Sequence, residues 1–132
     1  MTYLNKREFQ AWAYHDLLTN TTRGLLAEYI VAKAVGALTK KRVEWDRYDV
    51  KIDRIGVEVK SAAYVQSWKQ TKPSVISFDI APRTGWDADT DIYAASPGRS
   101  AKVYVFCLLK GTGREKPDPL DVGQWTFYVL AT

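Results

Sequence analysis

Three carboxylates and one lysine stand out by their settings: Glu28, Asp49, Glu58 and Lys60. The last two sit in Gly56-Val57-Glu58-Val59-Lys60-Ser61, and Asp49 sits in Tyr48-Asp49-Val50-Lys51-Ile52. Both runs read as strands, and Asp53-Arg54-Ile55-Gly56 between them is a tight connection, so the pair predicts a hairpin. Strand alternation puts Tyr48, Val50 and Ile52 on one face and Asp49 and Lys51 on the other. In the partner strand, Val57 and Val59 share a face, while Glu58 and Lys60 share the opposite one. With Arg54 and Ile55 as the turn centre, Ile52 faces Val57, Lys51 faces Glu58 and Asp49 faces Lys60. Any even shift of register keeps Asp49, Glu58 and Lys60 on one face. Directly opposite side chains lie about 5 Å apart. An Asp and a Glu at that range offer only oxygen acceptors, which suits a hard divalent cation, Mg²⁺ or Mn²⁺. A lysine beside them orients water and offsets negative charge as it develops.

Glu28 belongs to a different element. From Leu25 to Leu38 the only charged residues are Glu28 and Lys33, so the apolar pattern over residues 23–38 predicts a mostly buried helix. The residues four before and four after Glu28 are Gly24 and Ala32, which rules out a helical ion pair. A buried carboxylate without a partner costs several kcal/mol. Glu28 is therefore partnered from another element, placed at a site, or carried on a less buried strip of the helix.

The order Glu28, Asp49 in Tyr-Asp-Val, then Glu58-Val59-Lys60 resembles the PD-(D/E)XK nuclease superfamily, near the Holliday-junction-resolvase and RecB-type nuclease domains. The resemblance spans residues 23–68, about a third of the chain. It implies a restriction-endonuclease-like α/β fold, a mixed central sheet of about five strands flanked by helices. It also implies an endonuclease hydrolysing phosphodiester bonds with Mg²⁺ or Mn²⁺, on DNA in preference to RNA. By it, Asp49, Glu58 and the carbonyl of Val59 are metal ligands. Lys60 positions the attacking water, and Glu28 completes the site directly or through a water. Tyr48 stands where the motif's name has Pro, and nothing in the metal chemistry needs that proline. Residues 63–70 correspond to a short version of the superfamily's second core helix. On that footing Gln66 turns a polar amide toward the site, its plain alternative being a surface glutamine.

The elements that must position these groups follow from periodicity and composition. Residues 6–18 predict a first helix, with Phe9, Trp12, Ala13 and Leu17 at helical spacing. Asn20, Thr21 and Thr22 offer N-caps for the helix that carries Glu28. Residues 42–46, 47–53, 56–62, 74–80, 102–109 and 124–130 read as strands. Residues 82–99 and 112–119 read as irregular connections. The hairpin is expected at the centre of the sheet. The 132 residues, 46% hydrophobic and 26% charged, suit one globular domain over 1–132. Residues 129–132 still read as strand, so the natural protein is expected to continue beyond them.

One cysteine, Cys107, excludes a disulfide framework and a thiolate zinc cluster; one histidine, His15, excludes chemistry needing two imidazoles. No apolar run approaches the ~20 residues of a membrane span. The first ten residues lack a signal-peptide core, so a cytoplasmic location is expected.

Residues 1–72 carry 13 basic and 8 acidic side chains; the remainder carry 6 and 7. That bias suits a polyanionic partner, with nucleic acid the expected one, although a solvated basic surface explains the charge equally well. Lys60, Lys69 and Lys72 interleaved with Tyr64 and Trp68 suit a nucleic-acid groove, or core aromatics under surface lysines. Lys40, Lys41 and Arg42 read as a solvated loop, Asp87, Asp89 and Asp91 as turn chemistry, and His15 and Cys107 as structural. Gly111-Thr112-Gly113-Arg114-Glu115 lacks the lysine and context of a P-loop. A homodimer is compatible with these features and no membrane partner is expected. Two rivals stand: a non-catalytic nucleic-acid-binding or assembly module, and a metal-free domain in which Asp49–Lys60 and Lys51–Glu58 are surface cross-strand pairs.

Overall fold

A computed structural model of the chain describes residues 2–38, 50–78, 86–87, 92–93, 102–111 and 116–131. Helix α1 is Lys6–Ala13 and α2 is Asn20–Ala34. The strands are β1 Val50–Ile52, β2 Ile55–Ala63, β3 Trp86–Asp87, β4 Ile92–Tyr93, β5 Val103–Leu109 and β6 Trp125–Ala131, with a 3-10 turn at Val122–Gln124.

The first helix is shorter than its periodicity predicts. Asn5 caps its start by accepting from the Glu8 amide at 2.9 Å. After Ala13, polar side chains take over the backbone groups. Asp16 Oδ1 accepts from the Leu18 amide at 3.0 Å, and Thr19 Oγ1 accepts from the Thr22 amide at 3.2 Å. Residues 16–19 thereby become the lead-in turn of α2, whose cap is Thr19 rather than Asn20, Thr21 or Thr22. Helix α1 buries none of its residues; Phe9 is 57% and Trp12 77% exposed.

Helix α2 ends in a Schellman motif. Gly36 takes the left-handed φ of 74°, its amide donates to the Lys33 carbonyl, and the Ala37 amide donates to the Ala32 carbonyl. The helix buries one stripe, Arg23, Ala27 and Val31, and not most of its surface as the run of apolar residues predicts.

The main sheet runs β1-β2-β5-β6, with β1–β2 antiparallel, β2–β5 parallel and β5–β6 antiparallel. The architecture is mixed α/β. Four strands form this sheet among the described residues, and β3–β4 make a separate antiparallel pair. The hairpin is expected at the centre of the sheet; among the described residues β1 is an edge strand and β2 an inner one.

Its register also differs by two residues from the one expected. Val50 pairs with Val57, Lys51 with Gly56 and Ile52 with Ile55. The cause is the turn, a two-residue Asp53-Arg54 loop in which Asp53 adopts a positive φ of 53°. Aspartate tolerates that conformation better than most side chains. Because the shift is even, the division of β2 into two faces stands as alternation predicts.

Residues 42–46, expected as a strand, lie outside the described residues. Residues 74–78 are irregular rather than strand. Ser74 donates its amide to the Tyr64 carbonyl, and the Phe78 ring packs on Phe106 with centroids 4.8 Å apart.

The helix side of the sheet holds the core. Leu18, Ala27 and Val31 meet Val50, Val57, Val59, Ala63, Val105, Cys107, Leu109 and Trp125. Trp125 Nε1 is satisfied by the Pro119 carbonyl at 2.9 Å. Tyr104 and Leu108 are buried at positions that alternate to the opposite face. No helix among the described residues is long and apolar enough to cross a membrane.

Candidate functional site

Strand β2 positions two of the expected residues together. Lys60 Nζ lies 3.7 Å from Glu58 Oε1, and each side chain is about one-fifth exposed. Alternation turns both away from α2, while Val57, Val59 and Ala63 join the core beneath that helix. Across the parallel ladder Glu58 stands beside Tyr104 and Lys60 beside Phe106, and Phe78 packs on Phe106. The ion pair therefore shares its face of the sheet with the Tyr104 and Phe106 rings.

Asp49 lies outside the described residues. The Glu58 carboxylate and the Val59 carbonyl are hard oxygen donors, the right chemistry for Mg²⁺ or Mn²⁺. Among the described residues no cluster of three or more His, Cys, Asp or Glu could hold a metal ion. The expected set therefore depends on Asp49.

Glu28 is half-buried and lines an open cleft of about 520 Å³ with Tyr14, Asn20, Thr21, Gly24, Leu25 and Val59. This cleft lies along α2, on the Val59 side of β2. The described structure thus joins Glu58 to Lys60 and sets Glu28 across the strand from them.

Gln66 is buried, and its amide is committed inside the fold. Its Nε2 donates to the Ala63 carbonyl at 2.9 Å and Ser74 Oγ at 3.4 Å, and its Oε1 accepts from Arg23 Nη1 at 3.0 Å. The surrounding segment is a loop rather than the short helix expected over residues 63–70. Gln70 explains why. Its Oε1 accepts from the Gln66 amide at 2.7 Å, and its Nε2 donates to the Tyr64 carbonyl and to Ser74 Oγ. Backbone groups that a helix would pair internally are satisfied by a side chain instead.

The residue that sequence reasoning missed is Arg23, only 4% exposed. Its Nε donates to Ser61 Oγ at 3.4 Å, its Nη1 to the Leu18 carbonyl and to Gln66 Oε1, and its Nη2 to Asn20 Oδ1 at 2.9 Å. Every acceptor is neutral. Burial pushes the guanidinium's pKa below its ordinary value, and arginine still keeps its charge at neutral pH. The available signal was spacing: positions 23, 27 and 31 form one stripe, which starting the helix at Arg23 obscured.

The weaker constellations resolve simply. Trp68, Lys69 and Lys72 are exposed and Tyr64 is half-buried. Lys40, Lys41, Arg42, Asp89 and Asp91 lie outside the described residues, as do residues 112–115. His15 is exposed, with Nδ1 3.1 Å from the Trp12 carbonyl. Cys107 is buried, and burial pushes its thiol pKa from 9.0 up to about 12, which makes it inert at neutral pH.

A model of the bacteriophage T4 endonuclease IV family matches residues 4–131. The chain belongs to that family. No curated protein and no solved structure matches it. Membership in the bacteriophage T4 endonuclease IV family supports a nuclease-type domain on this α/β fold. The match by itself does not single out the PD-(D/E)XK superfamily.

Proposed function

We propose that this member of the bacteriophage T4 endonuclease IV family is a metal-dependent endonuclease of the restriction-endonuclease-like fold, hydrolysing phosphodiester bonds in DNA. The observation that carries the reading is the Glu58–Lys60 pair, a carboxylate and an ammonium 3.7 Å apart on one face of an inner strand. In this reading the β1–β2 ladder runs one residue further than described, which would bring Asp49 opposite Glu58. Asp49, Glu58 and the Val59 carbonyl would then hold Mg²⁺ or Mn²⁺. Such a cation, when bound, polarises the phosphoryl oxygen and acidifies water.

Lys60 supplies three N–H donors and a positive charge. It orients the attacking water in line with the leaving oxygen and offsets the charge that accumulates on the phosphoryl group. Glu58 holds the ammonium in place through their ion pair. Glu28 lies on the other side of β2, so this reading gives it no direct contact with the cation and only a part played through ordered water.

The test is incubation of purified protein with circular and linear DNA in Mg²⁺, Mn²⁺ or EDTA. Cleavage that needs the cation and stops in EDTA is the expected result. Cleavage at full rate in EDTA, or DNA binding without cleavage in any metal, overturns the reading.

A further inference from the structure

The cleft along α2 has three features that the catalytic reading does not use. Its floor is Gly24, inside a helix, where glycine is unfavourable relative to alanine. Packing does not require it: beyond its own helix, a Cβ there would meet nothing closer than Ser61 Oγ at 3.9 Å. Its lining includes the neutral donors Tyr14, Asn20 and Thr21. Beside Asn20, outside the lining itself, lies the buried Arg23, whose Nη2 donates to Asn20 Oδ1 and whose charge no carboxylate balances among the described residues. The one charged residue of the lining is Glu28, two turns further along α2. A charge buried without a counter-ion is costly, and such a position suits a ligand that brings the missing negative charge. The lining also includes Val59, the residue between Glu58 and Lys60.

We propose that this cleft seats a phosphate of the nucleic-acid backbone, with Tyr14, Asn20 and Thr21 as its hydrogen-bond donors, Arg23 as its counter-charge and Gly24 as the opening that admits it. The proposal rests on the nuclease reading and names a binding site for its substrate. Asn20 lies about 12 Å from Glu28 along the helix axis, so the seated phosphate is not the one cleaved. It anchors the strand, which then runs past Val59 to the catalytic face.

Two substitutions separate anchoring from structure. Asn20→Asp gives Arg23 a carboxylate partner in the first turn of α2, so it should hold or raise Tm. It should also weaken binding of labelled DNA oligonucleotides, single-stranded and duplex, at least tenfold in EDTA, most steeply at low salt. Gly24→Ala should raise Tm by roughly 3–5 °C through helix propensity, while a methyl in the cleft weakens binding at least threefold. Val122→Glu, adding the same charge on the exposed 3-10 turn, should change affinity less than twofold.

Wild-type affinity in both cleft variants overturns the proposal and leaves the nuclease reading intact if cleavage persists. Weakened binding by variants of a protein that cleaves nothing upholds the cleft and removes the nuclease reading. Absence of DNA binding by the wild type overturns the cleft outright.

Discussion

Arg23 Nη1 donates to Gln66 Oε1 at 3.0 Å, tying the first turns of α2 to the loop after β2 across 43 residues of chain. The glutamine is the hub of this contact, since its own Nε2 is held by Ala63 and Ser74. Gln66→Leu should therefore strand a buried guanidinium N–H and lower stability by about 1–3 kcal/mol in urea unfolding. A change below about 0.5 kcal/mol means the network does not hold the loop.

Lys60→Ala should cut the rate of DNA hydrolysis a hundredfold or more, about 3 kcal/mol of lost transition-state stabilisation. Its effect on stability should stay within about 1 kcal/mol, because the Glu58 pair is partly exposed. Calorimetry with Mn²⁺ should show nearly unchanged affinity, because the ammonium donates nothing to a cation. Loss of Mn²⁺ binding in this variant would contradict the role given to the lysine.

Asp49→Asn and Glu58→Gln should each lose both cation binding and cleavage. Glu28→Gln should reduce cleavage more mildly, about tenfold, with the cation retained, as expected of a group acting through water. Equal Mn²⁺ affinity for wild type and Asp49→Asn sinks the assignment of the ligands.

Burial raises the Cys107 thiol from 9.0 to about 12, so the folded state holds this proton more tightly than the unfolded chain. The stabilisation is complete below about pH 9 and is lost as pH rises toward 12, at roughly 1.4 kcal/mol per pH unit for this group. Urea midpoints from pH 8 to 11 should fall more steeply for the wild type than for Cys107→Ala. A thiol reagent at pH 8 should label the folded protein only as fast as it opens.

Asp53 holds a positive φ of 53° in the two-residue loop between β1 and β2. Asp53→Gly should stabilise the hairpin by up to about 1 kcal/mol, and Asp53→Val should cost about 1–2 kcal/mol. Thermal melts of the pair settle it: a valine variant as stable as the wild type means the loop adopts another conformation.

Sequence alone determined the features that depend on side-chain order along one element. The alternation Glu58-Val59-Lys60 decides that acid and base share a face, because a strand repeats every two residues whatever its neighbours do. The same logic marks β5, β6 and the helix that carries Glu28, since their apolar spacing is local. Tertiary structure decided what depends on groups far apart in the chain. The conformation of Asp53 moved the hairpin register by two, Gln70 captured the backbone of a segment expected to be helical, and Thr19 took the cap from its neighbours. Arg23 is buried only because Ser61 and Gln66, 38 and 43 residues away, reach it with neutral oxygens. No periodicity encodes such a meeting: a long-range hydrogen bond depends on how two elements pack, and each element's sequence is silent about its partner.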